Sequence, residues 1–317
     1  MKSSIKIILG SVLLLSGIPV TQAADRDFIY TDKSEATTVI DTRILEKCEG
    51  ASLPNARCLP AASFLGPHGR LANFRDILWL LGTVGLDGHE RVLVIGNNRT
   101  EKDFVAGLLY LAGQAKVEVL TKMPPPSALT DGGTGRSITR EKIFQAPMRD
   151  QLLILRDELA TLLKAGEPLA LLDGRSEDEY WGERVRSIRG GHLPGASQLP
   201  INSLRRDLKT NTATLPSTPD PIAYAHNARQ GIAYFTLLHA GAGVNARVFP
   251  GGWAAWAVSG NLPADNASYP DARSSTVKVE SRQNSPQSNG FGLMIVGLAV
   301  GGLLTSLGFF MGKRRTA

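Results

Sequence analysis

Short continuous apolar runs alternate with longer stretches of helical apolar spacing through most of the chain. Val92 to Ile95 and Ile222 to Tyr224 are brief and β-rich, the pattern of parallel strands covered by helices on both faces. "DFVAGLLYLAG" (Asp103 to Gly113) and "GIAYFTLLHAG" (Gly231 to Gly241) repeat apolar residues at helical spacing, which predicts helices stopping at Gly113 and Gly241 with glycine C-caps.

The pattern occurs twice. "TTVIDTR" (Thr37 to Arg43) matches "LALLDGR" (Leu169 to Arg175), and "SLPNARCLP" (Ser52 to Pro60) matches "HLPGASQLP" (His192 to Pro200). "RVLVIGNN" then answers "PIAYAHN", and "LLYLAGQAKVEVL" answers "TLLHAGAGVNARVF", so each half runs strand, loop, strand-to-turn, helix, strand. The fold class that follows is α/β: two modules, each a parallel sheet flanked by helices, at 27–123 and 147–265. A linker at 124–146 begins with the turn-rich "PPPSALTDGGTG".

Both ends depart from this pattern. Residues 1–24 have a basic start (Lys2, Lys6), an apolar run from Ile7 to Leu15 and the small-residue exit "TQAAD", the layout of a secretory signal peptide cleaved after Ala23 or Ala24. The run is short for a retained membrane anchor. After a polar tether at 266–290, residues 291–311 carry no charge and are long enough to span about 30 Å as a helix. Lys313, Arg314 and Arg315 follow, so the positive-inside rule predicts a cytoplasmic tail at 312–317. The expected product is a single-pass protein of the cell membrane with its bulk in the periplasm.

Composition adds limits rather than detail. With 317 residues, 43% hydrophobic and 20% charged, the chain can bury two cores and is not a disordered protein. Its 35 basic and 29 acidic residues give +6, but the basic ones are scattered, which argues against nucleic acid as a partner. The five histidines have no ligand-like spacing, so no metal is expected, and nothing calls for a cofactor. Cys48 and Cys58 are the only cysteines; in an oxidising compartment they either pair or remain as two partly buried thiols. Asp41 with Arg43 and Asp173 with Arg175 are acid and base pairs at strand ends, expected to fix the loops that follow, and Trp253 and Trp256 are expected in the core.

"LLDGRSEDEYWGE" with "GGHLPGASQLP", followed by a strand-turn-helix and "VFPGGWAAWAVSGNLP", resembles the rhodanese homology domain. The pair of modules resembles the tandem thiosulfate and mercaptopyruvate sulfurtransferases over roughly residues 27–265. The first half departs further: "GASLPNA" stands for Gly-His-Ile-Pro-Gly-Ala and "TKMPPP" for a Gly-Gly. The resemblance gives His192 a structural role in its turn. It also implies a cysteine at the end of the central strand of the second module, which would carry sulfur as a persulfide held by backbone N–H groups at a helix N-terminus.

Ala225 occupies that position, and a methyl group cannot carry sulfur. The turn "AHNARQ" is also about one residue shorter than usual in the family, with Ala228 near a common loop glycine. The first-half turn "IGNNRTEKD" lacks cysteine as well. No catalytic residue is therefore expected. His226, Asn227, Arg229 and Gln230 are the binding candidates, for a small anion, with Arg229 and Gln230 equally readable as solvated first-turn residues. The leading expectation is a tandem rhodanese-like pseudoenzyme acting as a binding or assembly module with an envelope protein as partner. The alternative is a sulfurtransferase or sulfur carrier whose thiol comes from a partner protein.

Overall fold

Among the described residues nine strands form two separate parallel sheets. The computed structural model describes residues 26–215 and 218–266; the expected signal peptide, most of the polar tether, the apolar segment at 291–311 and the basic tail lie outside the described residues. Among the described residues no helix is long and apolar enough to cross a membrane.

The first sheet contains β1 (Phe28–Thr31), β2 (Thr38–Asp41), β3 (Ala56–Cys58), β4 (Arg91–Ile95) and β5 (Lys116–Leu120), in the order β1-β5-β4-β2-β3. The second contains β6 (Leu171–Asp173), β7 (Ser197–Gln198), β8 (Ile222–Tyr224) and β9 (Arg247–Val248), in the order β7-β6-β8-β9. Read from the other edge, β9-β8-β6-β7 repeats β5-β4-β2-β3, so the sequence repeat becomes a repeat of sheet order, with β1 added at the edge of the first.

The helices are α1 (Leu45–Gly50), α2 (Phe74–Thr83), α3 (Arg99–Ala112), α4 (Arg156–Ala165), α5 (Glu177–Trp181), α6 (Ile201–Thr210), α7 (Ala228–Thr236) and α8 (Gly252–Ala257). Corresponding helices α3 and α7 each follow a central strand, each with an asparagine cap: Asn98 accepts from Glu101 N at 3.2 Å and Asn227 from Gln230 N at 3.1 Å. These caps satisfy N–H groups that the helix itself leaves unpaired. The two helices pack on each other, and one apolar cluster joins Ile40, Val94, Phe104 and Leu109 of the first half to Leu172, Ile232 and Phe235 of the second. A second cluster gathers Tyr224, Leu193 and Phe249 beneath Trp253 and Trp256, which are 2% and 0% exposed. Their indole N–H groups donate to Arg189 O at 3.1 Å and Pro263 O at 2.8 Å, so neither is left dry and unpaired.

The helix ends differ between the halves. Gly113 takes the left-handed conformation expected of a C-cap, at φ 112°. Gly241 does not: α7 continues into a π-helical turn, Leu237–Gly241, where Ala242 N donates back to Leu237 O at 3.0 Å. The positive φ falls on Gly243 instead, at 69°. The extra residue in the turn moves the stop past the first glycine.

The segment expected as a linker is packed along the first sheet. Ser52 bridges Asp131, Cys58 N donates to Thr134 O at 2.8 Å, and Glu141 N donates to Gly82 O at 3.0 Å. Phe144 is buried. Cys48, on α1, is disulfide-bonded to Cys58 at the end of β3, with the Cα atoms 5.8 Å apart. Gly133 lies over this bridge: a Cβ there would come within 2.5 Å of Cys48 Sγ.

Candidate functional site

Ala225 is 3% exposed and directly follows β8, immediately before the turn His226–Asn227 that opens α7. The carbonyls of this turn are held from one side. Ala225 O accepts from Trp253 N and His226 O from Ala254 N, both at 2.8 Å, so the start of α8 clamps the turn. Gly252 makes the approach feasible, since a Cβ there would lie 2.5 Å from Ala225 O, and its φ of 58° suits glycine. Within a trans peptide unit the C=O and N–H point in opposite directions. With the two carbonyls turned to α8, the N–H groups of His226 and Asn227 point away from it, forming a rim of donors beside the α7 N-terminus. That rim can hold negative charge.

The side chains around the turn separate into two groups. His226, 8% exposed, faces α5: its Nδ1 lies 3.9 Å from Glu179 Oε1 and has no hydrogen-bond partner among the described residues. Glu179 is buried by its place in the first turn of α5, where Ser176 caps Glu179 N at 3.4 Å, and Arg186 reaches Glu179 Oε1 at 3.0 Å. Burial pushes the His226 imidazole below its ordinary value, and the Arg186 guanidinium adds to this; Glu179 opposes it and Arg175 reinforces it. Arg229 is exposed and turns the other way, 3.9 Å from Glu101 on α3. The Asn227 side chain is occupied in the helix cap, where its Oδ1 accepts from the Gln230 backbone N–H. His226 and Arg229 therefore do not converge on one point.

Ala228 is the first residue of α7, outside the positive-φ positions, so it introduces no backbone strain. The glycine common at this place in the family is not required here, because the helix begins at this residue.

The acid and base pairs hold loops, as their spacing suggested. Arg175 Nε and Nη2 grip the Asp173 carboxylate at 3.0 and 2.6 Å, and Nη2 also donates to Gly191 O at 2.8 Å. The guanidinium stacks over Trp253 at 4.8 Å. Arg43 repeats the arrangement on Asp41 at 3.1 and 2.6 Å and donates to Ala51 O at 2.5 Å. His192 is buried, stacks on Tyr180 with ring centroids 3.7 Å apart and donates from Nδ1 to Tyr180 O at 3.0 Å, a structural role.

Glu179 and Arg186 were missed by sequence reasoning. The Ser176-x-x-Glu179 spacing was visible as a helix start, but nothing local tied it to a turn so far along the chain. Among the described residues no cluster of His, Cys, Asp and Glu is arranged to hold a metal.

Residues 155–259 match the family model of the rhodanese-like domain. The thiosulfate sulfurtransferase of Azotobacter vinelandii is 32% identical over 128 residues, covering 37% of this chain and 45% of that protein, so the match spans under half of the relative's length. A relative from Synechococcus elongatus is 25% identical over 282 residues, covering 77% of this chain and 83% of that one; its name carries the same activity, there marked as provisional. Among solved structures, the Tum1 protein of Saccharomyces cerevisiae superposes with a TM-score of 0.57 at 19% identity, covering 76% of this chain and 98% of that one, a likeness of fold. These findings support a rhodanese-type protein with an α/β fold.

Proposed function

We propose that the chain is a membrane-anchored periplasmic protein of two rhodanese-like modules, without sulfurtransferase activity, acting as a binding or assembly module. The observation that carries this reading is Ala225: a buried methyl group lies where β8 hands over to the capped N-terminus of α7. Sulfur transfer by this fold needs a thiolate at that place, because only the thiolate attacks the outer sulfur of thiosulfate. Neither cysteine substitutes, since Cys48 and Cys58 are bonded to each other beside β3 and are 0% exposed. The sheet repeat supports the two-module reading, and the donor rim at His226 and Asn227 supports retained recognition of an anionic group.

The envelope location and the anchor rest on the signal-like residues 1–24 and on the uncharged residues 291–311 with the basic cluster behind them. The names of the Azotobacter and Synechococcus relatives favour a second reading, a carrier that works with a partner's thiol. Purification from solubilised membranes, followed by incubation with thiosulfate and intact-mass analysis, separates the two. A binding module keeps its mass and brings down one reproducible envelope partner. A carrier gives a sulfur increment on a thiol of the protein that accompanies it.

A further inference from the structure

A cleft of about 490 Å³ opens where the first half meets α6. That volume suits a small organic ligand. Five basic side chains line it, Arg99 and Lys102 from α3, Lys122 just after β5, and Arg205 and Lys209 from α6, against two acidic ones, Asp32 and Asp103. Asp103 is 1% exposed and takes Arg205 Nη2 on Oδ2 at 2.6 Å, and the buried Lys102 ammonium donates to Leu120 O. Arg99, Lys122 and Lys209 have no carboxylate partner among the described residues, so the cleft carries uncompensated positive charge. Burial lowers the Lys102 ammonium; Asp103 opposes this, while Arg205 and Arg99 press it down further.

Tyr30 lies beside Asp103, and burial first, then the Asp103 carboxylate, push its phenol up. The Tyr30 ring, Leu208 and Leu237 give the cleft an apolar wall, beside Thr121 and Gly241.

We propose that this cleft binds an organic phosphate, its dianionic head group among Arg99, Lys102, Lys122 and Lys209 and its body along Tyr30, Leu208 and Leu237. Several unpaired cations from separate elements call for more than one negative charge, which a phosphate monoester supplies and a carboxylate or sulfate monoester does not. The N-terminus of α3, where Arg99 stands, adds partial positive charge of the same sign. The apolar wall calls for a body beyond the head group. The site is independent of the Ala225 turn and stands whether or not that turn is catalytic.

Calorimetric titration of the detergent-solubilised full chain with phenyl phosphate, phenyl sulfate and inorganic phosphate tests this. Phenyl phosphate should bind saturably at one site, at least tenfold tighter than phenyl sulfate and tighter than inorganic phosphate. Charge reversal by Arg99→Glu with Lys209→Glu, both at exposed positions, should weaken phenyl phosphate at least tenfold. The control Lys47→Glu with Lys164→Glu, exposed elsewhere, should leave it unchanged. The comparison of phenyl phosphate with phenyl sulfate on the unaltered chain needs no variant to fold. Equal binding of those two esters, no saturable binding of phenyl phosphate, or equal weakening by both variants would overturn the assignment. Inorganic phosphate binding as tightly as phenyl phosphate would overturn the role given to the apolar wall.

Discussion

Gly107 of α3 lies directly against Thr236 of α7: a Cβ at Gly107 would come within 2.5 Å of the Thr236 hydroxyl, which itself donates to Asp103 O at 2.8 Å. The two helices that follow the central strands thus meet almost backbone to side chain. Gly107→Val should overpack this contact and destabilise the fold by about 1–3 kcal/mol, seen as a lower urea midpoint. An unchanged midpoint would show that the helices can separate without cost.

Arg175 and Arg43 should differ despite their matching geometry. Removing Arg175 leaves the fully buried Asp173 carboxylate without its bidentate partner, which costs about 3–5 kcal/mol. Arg43→Ala should cost less, because the Arg43 side chain is 10% exposed against 2% for Arg175, so water more readily reaches the carboxylate left behind. Urea denaturation of Arg175→Ala and Arg43→Ala ranks them; equal losses would contradict the distinction.

The Cys48–Cys58 bridge, with a sequence separation of 10, should stabilise by about 3 kcal/mol in the chain-entropy model. Alkylation of native protein without reductant should modify neither thiol. Cys48→Ala with Cys58→Ala should lower the melting temperature, and Gly133→Ala should do so too, because its added methyl group presses on the bridge.

Stability should fall on mild acidification. His226 and His239 are both held below the ordinary histidine value near 6.5, chiefly by burial, with Arg186 and Arg149 respectively as the next lowering influence. Below that value the unfolded chain takes up protons that the folded chain resists, so stability present above about pH 6.5 is lost as the pH drops. Urea midpoints measured from pH 7.5 to 5.5 should decline, and His226→Asn should flatten the decline. An identical slope in the variant would remove His226 from the account.

Much of the fold was legible because its signals are local and repeated. The paired "TTVIDTR" and "LALLDGR" placed β2 and β6, and the apolar runs placed β4 and β8. Asp173 and Arg175 were legible as a loop-fixing pair because they are two residues apart. What stayed hidden depends on contacts distant in sequence. Glu179 meets His226 only once α5 folds over the second sheet, and the basic cleft exists only because α6 lies against α3. The same holds for the linker, whose polar, glycine-rich sequence gave no sign that Asp131 pairs with Ser52 and Thr134 with Arg57 of β3. Gly241 misled for a local reason, since one additional residue in a π turn shifts the helix stop without changing the apolar spacing.

The most direct measurement is sulfur transfer from thiosulfate to cyanide by the purified full-length protein, followed as thiocyanate. With Ala225 just after β8 and both cysteines locked in the disulfide, thiocyanate should form no faster than in the protein-free control. Sustained turnover above that control, abolished by no contaminant-removing step, would contradict the non-catalytic reading.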